Sequence, residues 1–488
     1  MGDALKQKMV STITWSTIDR FGQQIIQFLS GLVFARLLLP EDFGTMGIIM
    51  IFVAISLILV ESGFGQALIR QPEINKGHYT SVYYFNLTTA ALLYLVLFFS
   101  APCISDFFRQ PQLTALIRVM SLVVIINSSY LIPYVQLSRA LDFKQISRIN
   151  IIAILTGAGL GVIAAFLGAG VWSLIVQQSV NHLLKMVLLR SAVRWKPSGM
   201  LEFRVIRELW KFSLNILFTS LVNILFNNLF IIILGRSYPK AEVGQFAQGN
   251  KLSETFSYTF QAIFAGSTFA LFSQVQNDIP RFGRILGEMI RRTSLVTIPI
   301  ICVLIASAFP LITVIWTEKF QPAVIYFQLM SLASILTPFY VMNINALNAR
   351  GKSGKTMAIE LIKKLLIVTG IFLLYQQGIV YMLSAYVAGS LLAYPVSVWF
   401  VKKELNQPVG QQLLNLLPGI ITGILVGTAA ALINLLNWPV AATLATQLAG
   451  AALLYLVIVR VFFRSMYDNF RTFIISKLLL VKSPFQRP

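Results

Sequence analysis

Charged residues are scarce in this chain. Only 12% of its 488 residues are Asp, Glu, Lys or Arg, about half of what a soluble protein carries. That shortage excludes a string of soluble domains, whose surfaces would need more charge. Cysteine and histidine are rarer still, two of each. Cys103 and Cys302 lie in or beside apolar runs far apart, and His78 and His182 stand at no familiar ligand spacing from them. A disulfide framework and a Cys- or His-rich metal site are thereby excluded. Catalytic arrangements are missing too: no Ser-His-Asp set, and no paired carboxylates in a loop long enough to hold them. The chain therefore reads as something other than an enzyme. The first apolar run is too long for a cleavable leader and lacks a small-residue cleavage site.

Hydrophobic residues fill the gap, at 57% of the chain, with a mean hydropathy of +0.75. Runs of about 20 apolar residues, enough to cross a bilayer core of roughly 30 Å, recur along the whole length. Fourteen of them, from about 12–36 to about 440–462, predict an all-α polytopic membrane protein. The eleventh run, about 359–377, is interrupted at its start by Glu360, Lys363 and Lys364. Those charges can snorkel to the interface, and Glu360 and Lys364 are four apart and can pair.

The net charge of +21 does not point to nucleic acid, because the basic residues sit in short loops between apolar runs. With the N-terminus inside, the great majority of the 39 Lys and Arg residues fall on the inner side. The positive-inside bias then predicts that both termini are cytoplasmic. The longest inner segment, RSAVRWKPSGMLEFRVIRELWK (Arg190 to Lys211), sets Phe203, Ile206 and Trp210 against Arg204, Arg207 and Lys211. This pattern predicts a short amphipathic helix along the inner leaflet.

An internal repeat supports a division at that segment. ARLLLPEDFG (35–44) lies over GRSYPKAEVG (235–244), so that Arg36 meets Arg236 and Gly44 meets Gly244. Upstream in the same register, Arg20, Gln23 and Gln27 lie over Ser220, Asn223 and Asn227. A second match sets QLSRALDFKQISR (136–148) against NALNARGKSGKTM (345–357). The expected organisation is an N-lobe of six spans (1–192), a linker (193–211), a C-lobe of six (212–401), two further spans (402–463) and a basic tail (464–488). Repeats of this kind build many transporters.

ARGKSGKT (349–356) has the look of a phosphate loop. Such a loop needs a buried strand before it and a soluble domain around it. Here it is a basic turn between two spans, and its counterpart ALDFKQIS has no phosphate-loop character. No nucleotide is expected.

Charge inside a span costs about 2.5–3.5 kcal/mol on insertion scales, so each instance is a functional candidate. WSTIDRFGQQIIQFLSGLVFAR puts Ser16, Arg20, Gln23 and Gln27 on one face of the first helix, with Asp19 beside them. The simpler alternative is that Asp19 and Arg20 form a structural pair. Other candidates are Glu61 in the second span, Arg118 in the fourth, and Lys251 with Glu254 in the eighth. Arg36 and Arg236 read as interface anchors. Gln177, Gln178, Asn181 and His182 read as hydrogen-bonding groups between helices.

The pieces FARLLLPEDFGTMG, RALDFKQISRI, VGQFAQGNKL, IWTEKFQPA and ALNARGKSGKT, taken in order, resemble the polysaccharide flippases of the multidrug/oligosaccharidyl-lipid/polysaccharide exporter superfamily. The O-antigen and colanic-acid type, Wzx-like branch is the nearest in pattern. That resemblance implies two six-helix lobes around a central V-shaped cavity, working by alternating access in a bacterial inner membrane. It implies an undecaprenyl-diphosphate-linked oligosaccharide as substrate. In that setting Arg20, Arg118 and Lys251 are the cations for the diphosphate. Gln23, Gln27, Asn223 and Asn227 are the partners for the sugar, and Asp19, Glu61 and Glu254 are the acids for coupling to Na⁺ or H⁺. Implied partners are the lipid-linked oligosaccharide, membrane lipids and a polysaccharide polymerase, with no cofactor, nucleotide or nucleic acid. Two rivals remain. A cation-coupled multidrug exporter would need a cavity dominated by acids, and a membrane-embedded glycosyl- or acyltransferase would need a catalytic constellation.

Overall fold

Within lipid every backbone N–H and C=O must find a partner inside the protein, which leaves helices as the solution for spans of this kind. The computed structural model describes residues 2–61, 63–71, 73–405 and 407–464, and these contain no strand. The basic tail expected at 464–488 lies, apart from its first residue, outside them. In chain order come α1 (Gly2–Leu37), α2 (Pro40–Glu61), α3 (Phe64–Arg70), α4 (Lys76–Phe107), α5 (Leu113–Met120), α6 (Leu122–Arg139) and α7 (Phe143–Phe166). Then follow α8 (Val171–Val193), α9 (Phe203–Ser237), α10 (Lys240–Gln274), α11 (Ile279–Ala306), α12 (Ala308–Trp316) and α13 (Ala323–Ser334). The chain continues through α14 (Thr337–Ala349), α15 (Ser353–Leu374), α16 (Ile379–Leu405), α17 (Val409–Leu414), α18 (Leu417–Ile433) and α19 (Val440–Phe462).

Among the described residues, ten stretches are long and apolar enough to cross a membrane, and Pro40–Arg70, Leu113–Arg139, Ala323–Ala349 and Val409–Leu436 are each divided into successive helices. The other long helices, α1, α8, α10 and α15, carry intramembrane polar residues that lower their hydropathy. With those four, the helices occupy the places of the fourteen runs.

The chain forms two compact units, Met1–Ala247 and Gln248–Pro488. In the first, Phe34, Ile48, Ile49, Phe108 and Leu113 form a core shared by α1, α2, α5 and α8. In the second, Phe272, Phe282, Phe339 and Tyr394 centre the core of α10, α11, α14 and α16. Gly419 and Gly423 bring α18 against Ser294 and Ile298 of α11, the close approach that small residues permit between helices in lipid.

The repeat is visible in backbone geometry. Leu38 N donates to Phe34 O and Asp42 N to Leu39 O; Tyr238 N donates to Leu234 O and Glu242 N to Pro239 O in the same pattern. At the second match, Leu141 and Gly351 both take the left-handed conformation, at φ 59° and 71°. Asp142 N bonds Leu137 O as Lys352 N bonds Leu347 O, each at about the usual amide length. Arg139 then grips the carbonyls of Leu68 and Gln71, both at 2.6 Å, and Arg350 donates to Gln276 O at 2.7 Å. In each unit, an arginine on one side of this turn ties down a helix end elsewhere in the same unit.

The linker differs from expectation. Residues 194–202 are not helical, and the helix that starts at Phe203 runs unbroken to Ser237. Val205, Ile206 and Leu209 are buried against Phe64, Leu68, Val82 and Tyr83, while Phe203 is 74% exposed. Val205, Ile206 and Leu209 therefore face α3 and α4 of their own unit, while Phe203 and Trp210 stay exposed. The preceding strap is held by Thr80, which donates to Ser198 O at 3.1 Å, and by Glu202 N, which donates to Ser81 Oγ at 2.9 Å.

The phosphate-loop look-alike is a turn between α14 and α15. Lys355 pairs with Glu404 of α16, Lys352 reaches the same carboxylate at 3.9 Å, and Thr356 donates to Asn348 Oδ1 at 2.9 Å. On α15, Glu360 accepts from Tyr340 Oη at 2.7 Å, and Lys363 Nζ sits 4.7 Å from the Tyr340 ring centre.

Candidate functional site

The first unit holds a polar wall built from five helices. On α1, Asp19 accepts from Gln23 Nε2 at 2.9 Å and from Asn150 Nδ2 of α7 at 3.1 Å. Lys185 of α8 lies within electrostatic reach of the same carboxylate. One turn along α8, His182 Nδ1 is 2.9 Å from Tyr130 Oη of α6, which also accepts from Asn127 Nδ2 at 2.8 Å. Glu61, at the end of α2, is within electrostatic reach of Tyr130. Farther along, Gln177 Nε2 meets Ser30 Oγ at 3.4 Å. Gln177 and His182 thus bond between helices, whereas Asn181 Oδ1 has no hydrogen-bond partner among the described residues.

Arg20 behaves differently from its neighbour. Consecutive residues of a helix point in different directions, and Arg20 is exposed while Asp19 is half-buried. Among the described residues Arg20 has no ion-pair partner, whereas Asp19 is held by Gln23 and Asn150. The alternative of a structural Asp19–Arg20 pair is therefore not the arrangement present. Gln27 is exposed on the same helix, as are Asn223 and Asn227 on α9. In the second unit, Lys251 and Glu254 are exposed on α10, within electrostatic reach of each other, and Glu254 accepts from Asn250 at 3.0 Å.

Arg118 is engaged inside its own unit. Its Nε donates to Phe98 O at 3.2 Å, and its guanidinium lies 4.3 Å from the Phe98 ring centre. Pro102 sits in α4 four residues after Phe98. A proline has no N–H to give the carbonyl one turn back, and Arg118 supplies the missing donor.

Sequence reasoning missed Lys185, Asn150, Tyr130 and Asn127. One signal was available for Lys185: Gln178, Asn181, His182 and Lys185 recur at helical spacing, which puts the lysine on the polar stripe of α8. Nothing in the local sequence ties Asn150 or Tyr130 to that stripe. Among the described residues, no three His, Cys, Asp or Glu side chains come together to hold a metal ion.

The family model for polysaccharide biosynthesis proteins matches residues 33–325. The chain belongs to that family. Its relatives include the teichuronic acid biosynthesis protein TuaB of Bacillus subtilis, 22% identical over 84% of this chain and 83% of that protein. They also include the lipopolysaccharide biosynthesis protein WzxC of Escherichia coli, 21% identical over 68% of each. Among solved structures, a lipid II flippase MurJ in an inward closed conformation superposes with a TM-score of 0.70 at 15% identity, covering 93% of this chain and 99% of that one. An inward-facing multidrug resistance MATE transporter of the MOP superfamily follows at 0.61, with 13% identity over 81% and 99%. This member of the polysaccharide biosynthesis family is thus a multi-pass membrane protein with the fold of MurJ and the MATE transporter.

Proposed function

We propose that the protein carries an undecaprenyl-diphosphate-linked oligosaccharide from the inner to the outer leaflet of a bacterial cytoplasmic membrane by alternating access between two lobes. One observation carries the reading: Arg20 is a permanent cation in a membrane-length helix, exposed, and without an ion-pair partner among the described residues. A guanidinium so placed is costly to insert, and a diphosphate would offset that cost through two parallel charge-assisted hydrogen bonds. Gln27, Asn223 and Asn227, all exposed, supply amides for the sugar. Lys251 is a second cation, on the α10 helix.

For coupling to Na⁺ or H⁺ we favour Glu61, which has no hydrogen-bond partner among the described residues, over Asp19, which Gln23, Asn150 and Lys185 already surround. A multidrug exporter of organic cations fits less well, because the free charge on α1 is positive. The test is glycan export in cells lacking the chromosomal copy, complemented with wild type, Arg20→Ala or Arg20→Lys. Loss of export with Arg20→Ala at normal protein levels supports the reading. Full export with that variant overturns it.

A further inference from the structure

A cavity of about 240 Å³ opens in the first unit where α2, α3, α4 and α9 meet. Its walls are apolar: Phe64, Phe85, Leu93 and Leu214 are among the lining side chains, with Trp210 beside them. Trp210 is 44% exposed and touches the rings of Phe64 and Phe85 at centroid distances of 6.4 Å each. Gly63, at φ 72°, turns the chain between α2 and α3, and a side chain there would meet Ile216 of α9 at 2.9 Å.

One lining group does not belong in an empty apolar pocket. Ser213 is 1% exposed, and its hydroxyl has no hydrogen-bond partner among the described residues. Serine and threonine in such helices ordinarily bond the carbonyl one turn back, as Thr89 on the opposite wall does to Phe85 O at 2.9 Å. A buried hydroxyl left without a partner is destabilising unless something satisfies it. The pocket also has a charged approach. Arg207, Trp210, Leu214 and Leu217 recur at spacings of three and four along α9, so the arginine stands one turn before the tryptophan on the lining face. Arg204 precedes it by another turn. Both are exposed and have no ion-pair partner among the described residues.

We propose that this cavity seats one acyl chain of an anionic phospholipid from the leaflet that meets the linker, its ester carbonyl accepting from Ser213 and its phosphate facing Arg207. The chemistry selects the occupant. A polyisoprenyl chain is pure hydrocarbon beyond its phosphate and offers Ser213 nothing to bond. A glycerophospholipid places an ester oxygen between phosphate and chain, in the order in which α9 presents Arg207, Trp210 and Ser213. The net negative headgroup matches the two free arginines, and the amphipathic tryptophan suits the boundary between them and the pocket.

Native mass spectrometry of the full-length protein tests this by titration with dioleoylphosphatidylglycerol, dioleoylphosphatidylcholine and undecaprenyl phosphate, each alone. One phosphatidylglycerol molecule should bind more tightly than any phosphatidylcholine. Arg207→Gln should weaken it about tenfold, the loss of one charge-assisted bond, and Ser213→Ala by a few-fold. Leu93→Trp should fill the pocket and remove the site. If Leu93→Trp is not monodisperse, the other two variants decide. Unchanged phosphatidylglycerol binding in Arg207→Gln and Ser213→Ala, or equal binding of phosphatidylcholine, overturns the proposal. So does tighter binding of undecaprenyl phosphate that is lost on Leu93→Trp, which would give the pocket to an isoprenoid.

Discussion

Gly44 and Gly244 lie back to back. A Cβ built on Gly44 would come within 2.9 Å of the Gly244 nitrogen, and one on Gly244 within 3.1 Å of the Gly44 nitrogen, with the carbonyls of Lys240 and Pro40 nearer still. The two residues are each other's counterparts in the repeat, so the same short motif, used twice, supplies both sides of one backbone contact. Only hydrogen fits on either face.

Gly244→Ala should therefore force α2 and α10 apart where they start. Overpacking of this kind typically costs about 1–3 kcal/mol, and the obstacle here is backbone, which cannot rotate away. Thermal melting of the purified protein should show a drop of several degrees and reduced accumulation in cells. Gly159→Ala is the control: nothing lies within 4 Å of a Cβ there, so its melting temperature should hold or rise.

The double variant Asp19→Asn with Arg20→Gln separates substrate binding from pairing. A structural ion pair would let the double change restore what either single change destroys, since no unpaired buried charge is left. Asp19 is already satisfied by Gln23 and Asn150, so the double variant should stay as inactive in glycan export as Arg20→Gln alone. Near-normal export would end the role assigned to Arg20.

Arg118 and Pro102 should be coupled. Arg118→Ala leaves Phe98 O without its donor, a loss of about 1–3 kcal/mol for a buried acceptor. Pro102→Ala returns an N–H to the same carbonyl, so the pair together should melt close to wild type. Export by the double variant reads out function separately: normal export assigns Arg118 to the helix, and lost export at normal stability assigns it to the substrate.

Lys355→Ala should leave transport largely intact. Its ammonium serves Glu404, for which Lys352 remains at 3.9 Å, and a partly exposed pair contributes about 1 kcal/mol or less. Photolabelling by an ATP analogue that disappears with this substitution would reinstate a nucleotide role.

Topology follows from loop labelling in a background with Cys103 and Cys302 replaced by serine. Single cysteines at Gln112, Tyr238 and Gln321 should react with an impermeant thiol reagent added to intact cells. Those at Lys144 and Lys352 should react only after the membrane is opened. Reaction at Lys352 from outside would reverse the orientation.

By itself the sequence determined the helical class, the number and order of the long apolar segments and the repeat. Each is written in local composition: lipid demands helices of a set length, and the repeated turn keeps an acid and a glycine in register, as Asp42 with Gly44 and Glu242 with Gly244 illustrate. It also marked α1 as a membrane-length helix that carries the charges Asp19 and Arg20. Tertiary structure decided what each polar side chain meets, because partners such as Asn150 for Asp19, Phe98 for Arg118 and Glu404 for Lys355 lie far away along the chain. It set the rotation of the linker helix as well: the periodicity put Phe203, Ile206 and Trp210 on one face, but only the packing of Val205, Ile206 and Leu209 against α3 and α4 chose which side is buried. The physical reason is common to both. Secondary structure in lipid is fixed by nearest neighbours and the solvent, whereas the fate of a charge depends on which helix the fold sets beside it.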